Sequence, residues 1–205
     1  EINPASIACL NKVIHYFNLE PYVLEVVQTD AVTWRIPAAY KPDIILSETM
    51  MPSLKKEPQV SIVANLTGQC PQAILIPEVI EVSATLLNSK TDDEKRFIQL
   101  ETLLVFTKEQ AIKMASRQQA GDMLFPVTKL QVQKPVERNY SRLALLTFIR
   151  VFNNEVLGLN ESSLTIPQII YNLNTIKTWP GVFHLQYRIF PVPGFIISKE
   201  EDMHF

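Results

Sequence analysis

The chain has 205 residues, of which 47% are hydrophobic, and a formal net charge of −2. A chain of this length and apolar content can bury a substantial core, as one large domain or two small ones. Its mixed charges give no basic face for nucleic acid, and no apolar run is long enough to span a membrane. We therefore expect a protein that binds neither nucleic acid nor membrane. The two cysteines, Cys9 and Cys70, fit a reducing compartment better than a disulfide-stapled scaffold, so we also expect a cytoplasmic location.

The N-terminal segment predicts a helix followed by a strand. Asn3 is typical of a helix N-cap and Pro4 of the first helical position, so we expect a helix from Pro4 to about Asn18. Residues 22–28 are rich in valine and predict a strand that ends just before Asp30.

A second strand is predicted at residues 44–46, because this short run is continuously apolar, as buried parallel strands are. Ligands of open α/β sheets bind just beyond the carboxyl ends of such strands, which makes Glu48 a candidate site residue. Pro58 then predicts the start of a helix that runs to about Leu66, with Gly68 just past its end.

The second half of the chain is dominated by predicted strands. We place a domain boundary after residue 70, which divides the chain into residues 1–70 and residues 71–205. Strands are predicted at 73–76, 79–87, 97–106, 124–132, 142–152, 156–159 and 183–190. A helix at about 109–119, opened by a capping-box pattern, interrupts them, and Asn153-Asn154 predicts a hairpin turn. The fold class expected is therefore α/β followed by β.

Four stretches of the sequence form a recognisable series: Glu1-Ile-Asn-Pro-Ala-Ser-Ile, Asn18-Leu-Glu, Lys41-Pro-Asp-Ile-Ile-Leu-Ser-Glu-Thr-Met50 and Leu75-Ile-Pro-Glu78. Together they resemble the protein arginine methyltransferases, which are class I S-adenosylmethionine-dependent methyltransferases. In that family a Ser-Glu-x-Met element is followed by a second glutamate nine residues after the first. Here Glu57 follows Glu48 by nine residues.

The resemblance implies a cofactor site for S-adenosyl-L-methionine at the ends of the strands. A carboxylate at Glu1 would accept hydrogen bonds from the ribose hydroxyls. The acid Asp30 and the backbone amide of Ala31 would read the edge of the adenine. A ribose-binding acid also occurs in NAD-binding folds, but an NAD-dependent protein would not account for the second glutamate.

The same resemblance assigns the methyl acceptor to the two glutamates. Guanidinium is planar and presents a fork of donors, so carboxylates at Glu48 and Glu57 could grip it and orient one nitrogen toward the methyl carbon. Met50 is expected to line the substrate pocket. Trp179 is expected there too, because Lys177-Thr178-Trp179 is similar to a Thr-His-Trp loop of the family. Neither a metal nor a nucleophilic side chain is needed for this chemistry.

At the level of the whole protein, the resemblance implies the C-terminal half of a Rossmann-like sheet followed by a β-barrel-like domain that carries the helical insertion. A homodimer is a further expectation, since arginine methyltransferases commonly dimerise. The glycine-rich turn that approaches the cofactor, and strands that would complete the sheet, are expected upstream of Glu1.

Three departures from the family pattern leave the acceptor open. Met51 stands where glycine is usual, Lys55 and Lys56 precede Glu57, and Thr178 replaces the loop histidine. The acceptor could therefore be a protein arginine, another amine or a small molecule. The alternative function is a catalytically inactive, methyltransferase-like binding or scaffold module.

Overall fold

The structure is a computed structural model, and it describes residues 1–88, 90, 97–118, 125–135, 137 and 139–200. Within these residues the α-helices are α1 (Pro4–Tyr16), α2 (Gln59–Gln69) and α3 (Lys108–Gln118). The first five strands are β1 (Ile44–Leu46), β2 (Ile74–Ile76), β3 (Val79–Asn88), β4 (Phe97–Thr107) and β5 (Thr128–Val132). The others are β6 (Tyr140–Phe152), β7 (Glu155–Leu157), β8 (Gln168–Asn172), β9 (Gly181–Arg188) and β10 (Gly194–Lys199).

Helix α1 begins where the sequence predicts. The side chain of Asn3 accepts a hydrogen bond from the backbone N–H of Ala5 at 2.9 Å, which satisfies one of the free donors of the first turn. The helix ends at Tyr16, slightly before the predicted end, and the chain turns away at Asn18, whose φ is +54°. Asparagine tolerates this left-handed conformation better than most residues.

The strand predicted at residues 22–28 is wrong. A short 3₁₀ helix occupies Glu20–Tyr22, and residues 23–28 have no regular secondary structure. Two backbone hydrogen bonds tie this segment to the N-terminus, from the Glu1 amine to Val27 O at 3.3 Å and from Thr29 N to Glu1 O at 3.0 Å. A strand needs a partner along its length, and the described part of the chain provides only these isolated contacts.

Strands β1 and β2 form a two-stranded parallel sheet, with Ile45 opposite Leu75. The predicted strand at 44–46 is thus confirmed, but its burial alternates. Ile45 is 6% exposed and packs in the core, whereas Ile44 and Leu46 are 53% and 72% exposed. The expectation of a strand buried on both faces is therefore wrong for the face that carries Ile44 and Leu46.

Helix α2 continues one turn further than expected and includes Gly68 in its last turn. The prediction that Gly68 lies past the helix end is wrong, and packing explains its position. A Cβ added to Gly68 would lie only 2.6 Å from the Cβ of Ala115 on α3. Glycine is therefore needed here for the close contact between the two helices rather than for ending α2.

The remaining strands form two antiparallel sheets. One has the order β4-β3-β6-β7, with β8 also paired to β6, and the other has the order β10-β9-β5. The predicted turn between β6 and β7 is confirmed, with Asn153 at φ +50°. Strands β8 and β10 were not predicted. The strand predicted at 124–132 corresponds to β5, and residue 124 lies outside the described residues.

The fold is thus mixed α/β with several sheets, and none of them closes into a barrel over the residues described. Instead, β5 joins β9 and β10 rather than an edge of the larger sheet. The largest fully buried side chains include Tyr187, Phe106 and Phe183, so the core lies between these sheets and the helices. None of the helices in the described ranges is long and apolar enough to cross a membrane.

Candidate functional site

A cavity of about 930 Å³ opens just beyond the carboxyl end of β1. Its wall includes most of the residues that the sequence singled out, which come from separate segments of the chain: Glu1, Asp30, Ala31, Glu48, Met50 and Glu57. Four of these residues are acidic, so carboxylate side chains from separate segments share the wall of one cavity.

Trp179 does not join this group. It lines a separate cavity of about 360 Å³, together with Leu173, Lys134 and Lys177. The side chain is half-buried and packs against the hydrophobic core. Trp179 therefore lines a different cavity from Glu48 and Glu57, although the resemblance predicts one shared pocket.

The segment around Glu48 is held by Gln59, the first residue of α2. Gln59 is 1% exposed. Its side-chain oxygen accepts hydrogen bonds from Ser47 Oγ at 2.9 Å, Thr49 N at 3.0 Å and Thr49 Oγ1 at 2.6 Å. Its side-chain nitrogen donates to Ser47 O at 3.0 Å. One buried amide therefore fixes the residues on both sides of Glu48.

The carboxylate of Glu48 itself is exposed to the cavity and, among the described residues, takes part in no hydrogen bond or ion pair. The backbone that carries it is fixed, but the acid retains its full capacity to accept hydrogen bonds. Such an arrangement suits a ligand-binding carboxylate, because little conformational freedom remains to be lost on binding.

The loop that leads to Glu57 has an unusual backbone. Ser53, Leu54 and Lys56 have φ values of +60°, +54° and +67°, in the left-handed region that glycine favours. Each such residue costs about 1 kcal/mol or more, and persists only where the surroundings impose the conformation. The strain is therefore evidence that this loop is held in place by its neighbours.

Three hydrogen bonds connect the loop to the two antiparallel sheets. Ser53 N donates to Thr147 Oγ1 on β6 at 2.8 Å, and Lys56 N donates to Pro193 O beside β10 at 2.8 Å. The hydroxyl of Tyr187 on β9 donates to Leu54 O at 2.9 Å. Burial raises the pKa of Tyr187 well above its ordinary value, so the phenol keeps the proton that this bond requires.

Glu1 and Asp30 are partly engaged in local turns. One oxygen of Glu1 accepts from Asn3 N at 2.7 Å, and one oxygen of Asp30 accepts from Val32 N at 2.9 Å. Each carboxylate keeps a second oxygen for which the described residues supply no donor. Beside Asp30, the carbonyl of Ala31 accepts from Asn65 Nδ2 at 2.9 Å, while the N–H of Ala31 has no partner in the described chain.

Two further parts of the cavity wall were not predicted. The 3₁₀ helix Ser163–Thr165 contributes Ser163 and Leu164, and Lys55 is the one lysine or arginine among the described lining residues. Gln59 was also missed. A glutamine after Pro58 at the start of a helix carries no signal that its side chain turns back to a strand end, so only the folded structure could identify it.

Comparison with protein-family models gives no match for this chain, and comparison with curated proteins gives none either. Within the described residues, no group of three or more histidine, cysteine, aspartate or glutamate side chains could hold a metal ion. The function is therefore inferred from the cavity itself and from the sequence resemblance.

Proposed function

We propose that the protein is an S-adenosyl-L-methionine-dependent methyltransferase that methylates a guanidinium or other amine nitrogen. The observation that supports this most directly is the cavity beyond β1, whose wall includes Glu1, Asp30, Glu48 and Glu57. These four acids were selected from the sequence alone. The amino-acid composition of the chain does not require them to line the same cavity.

The residues on the Glu1 side fit a nucleoside. The free oxygen of Glu1 can accept hydrogen bonds from ribose hydroxyls. The free oxygen of Asp30 and the unpaired N–H of Ala31 offer one acceptor and one donor, as the adenine edge requires. These three groups would hold the cofactor, which supplies a methyl group on a positively charged sulfonium.

Glu48 and Glu57 would bind the acceptor. Charge-assisted hydrogen bonds from a guanidinium or ammonium to two carboxylates are strong and directional, so the pair can orient one nitrogen and draw positive charge away from it. Met50, which lines the same cavity, supplies apolar surface beside the acceptor. Alignment and electrostatic stabilisation then provide the catalysis, without a nucleophilic side chain.

This proposal includes the finer architecture that the resemblance implies. The sheet of β1 and β2 would belong to a Rossmann-like domain, and the sheets formed by β3–β10 to a β-barrel-like domain, with a homodimer in the cytoplasm as the working form. The acceptor would be a protein or a small molecule, and Trp179 would approach it only if its loop moves from the separate cavity that it lines.

The test is a titration and an assay on the same variant, Glu48→Gln. Calorimetry of the full-length protein with S-adenosylhomocysteine should show binding to the wild type, and to Glu48→Gln with an affinity within about twofold, because Glu48 is assigned to the methyl acceptor and not to the nucleoside. Methyl transfer to arginine or amine acceptors should fall by roughly 100-fold or more in the variant.

Glu155→Gln is the matched control, since Glu155 is an exposed acid on β7 that forms no ion pair with a described residue. It should leave both binding and turnover unchanged. Absence of S-adenosylhomocysteine binding at millimolar concentration would contradict the cofactor assignment. Full activity in Glu48→Gln would contradict the role of the glutamate pair.

One observation favours the second candidate, a binding module that keeps the cavity without catalysis. The ammonium of Lys55 lines the same cavity as the two glutamates and could occupy the place of a cationic acceptor. Binding of S-adenosylhomocysteine together with no turnover of any arginine or amine acceptor would establish this alternative.

A further inference from the structure

The side chains that line the cavity are not all negative or neutral, and the exception is Lys55. Among the lining residues that the structure describes, Lys55 is the one with a cationic side chain, since the amine of Glu1 is already hydrogen-bonded to Val27 O, and it lies in the loop that ends at Glu57. Its side chain forms no ion pair or hydrogen bond with any described residue. An ammonium group beside several carboxylates, yet unpaired with them, is available to a ligand.

The backbone of Lys55 is fixed at both ends. On one side, the carbonyl oxygen of the fully buried Leu54 accepts a hydrogen bond from the Tyr187 hydroxyl at 2.9 Å. On the other side, Lys56 N donates a hydrogen bond to Pro193 O at 2.8 Å. A γ-turn-like hydrogen bond of 2.8 Å from Glu57 N to Lys55 O also joins the lysine to the glutamate. Lys55 and Glu57 are therefore held as one unit at the cavity wall.

Gly194 lies beside the base of the lysine side chain. Its φ of +147° is one that residues with a side chain rarely adopt, and a Cβ placed there would lie 3.6 Å from the Cβ of Lys55. The base of Lys55 therefore lies next to the start of β10, while the residue lines the cavity.

We propose that the acceptor is a small zwitterion, whose guanidinium or amine binds to Glu48 and Glu57 while its carboxylate binds to Lys55. This inference rests on the proposed function only for the assignment of the cationic group to the two glutamates. Both charges of the ligand must fit within one cavity of about 930 Å³, because Lys55 lines the same cavity as Glu48 and Glu57.

A pair of probes separates this inference from simple attraction to a negative cavity. L-arginine and agmatine share the guanidinium and the carbon chain, but agmatine lacks the carboxylate and so has the greater net positive charge. The carboxylates of the cavity alone would favour agmatine. A preference for arginine therefore requires a cation that recognises the carboxylate.

The experiment is a calorimetric titration of both probes into the wild type, Lys55→Gln, Lys55→Arg and Lys56→Gln. The wild type should bind arginine more tightly than agmatine. Lys55→Gln should weaken arginine binding by roughly tenfold and change agmatine binding less than about twofold, which reverses the preference. Lys55→Arg should keep the preference for arginine, because it keeps the charge.

Lys56→Gln is the matched control. Lys56 is the next residue in the same loop, but it is exposed and does not line the cavity, so its variant should behave as the wild type. Equal weakening in the two glutamine variants would mean a general charge effect and would overturn the inference. A wild type that prefers agmatine, or binds no arginine, would overturn it too.

These results are distinguishable from failure of the proposed function. A protein that binds S-adenosylhomocysteine but does not discriminate arginine from agmatine remains a methyltransferase candidate with another acceptor. Discrimination through Lys55 without S-adenosylhomocysteine binding would instead support the zwitterion site and contradict the methyltransferase.

Discussion

At the scale of single residues, Gln59 contributes most to the position of Glu48. Its amide makes four hydrogen bonds to Ser47 and Thr49, and all of its partners lie at the end of β1. A glutamine can do this because it carries an acceptor with two lone pairs and a donor on one planar group. An acid or a lysine at this position would provide only one of the two functions.

Gln59→Leu should remove this network and leave several polar groups of Ser47 and Thr49 without partners. Since an unsatisfied buried polar group costs about 1–3 kcal/mol, we expect the free energy of unfolding to fall by about 3 kcal/mol. Chemical denaturation measures this change. Gln72→Leu, at an exposed position without a described hydrogen bond, is the control and should change stability by less than about 0.5 kcal/mol. A similar loss in both variants would mean that the network does not stabilise the fold.

Some features of single residues can be predicted from the sequence, and others cannot. Asn3 and Pro4 mark the start of α1 because helix capping depends on local chemistry that the sequence displays. The burial of Gln59 and the left-handed backbone at Leu54 depend on contacts with residues far along the chain. No local pattern of side chains could predict them.

At the scale of elements, β1 forms where the sequence predicts a strand, but it is buried on one face and not on both. A continuous apolar run indicates a strand covered on both faces, but the described chain covers one face only. Ile45 contacts the core, while Leu46 faces outward at the next position. Periodicity predicts the element, and the neighbours of the element decide how much of it is buried.

This alternation can be tested with a pair of adjacent alanine substitutions. Ile45→Ala should lower the free energy of unfolding by about 2–4 kcal/mol, because it opens a cavity in the core. Leu46→Ala should change it by less than about 0.5 kcal/mol, because Leu46 is 72% exposed. Denaturant titration compares the two directly. Equal losses would indicate that Leu46 is covered in the working protein.

The strand predicted at residues 22–28 did not form because this segment has no neighbouring strand among the described residues. Valine-rich segments favour extended structure, but β structure requires a neighbouring strand to accept and donate hydrogen bonds. Strands β3, β4 and β6 were predicted well because their apolar runs are long and they pair with one another. Strand β8 was missed because Gln168–Asn172 is short and follows a turn-like polar segment.

At the scale of the whole molecule, the loop that ends at Glu57 connects the cavity to the two larger sheets. Thr147 on β6 and Tyr187 on β9 each bind the backbone of this loop. These hydrogen bonds cross the predicted boundary between residues 1–70 and residues 71–205. The position of Glu57 therefore depends on strands that contribute no side chain to the cavity wall.

Tyr187→Phe should remove the hydrogen bond to Leu54 O and lower the free energy of unfolding by about 1 kcal/mol. It should also change the response to pH. Burial raises the pKa of Tyr187 in the folded state above its ordinary value of 10.0. Above pH 10.0 the unfolded phenol therefore ionises first, so this group makes stability fall as the pH rises, and the variant should lose that contribution.

Tyr171→Phe is the control for this measurement. The ring of Tyr171 packs against Phe183, but its hydroxyl has no hydrogen-bond partner among the described residues. Denaturation at neutral and alkaline pH should therefore show a smaller effect than in Tyr187→Phe. An unchanged alkaline response in Tyr187→Phe would contradict the role of its buried phenol.

The two glutamates of the cavity take their positions from different parts of the molecule. Glu48 is set by α2 through Gln59, whereas Glu57 is set by β6, β9 and β10 through the strained loop. The backbone segments that carry the two glutamates are therefore held by different elements of the fold. A small shift of the sheets against α2 would alter the gap between the carboxylates without changing either side chain. The width of this gap, and hence the size of the group it can hold, is thereby open to tuning by substitutions far from the cavity.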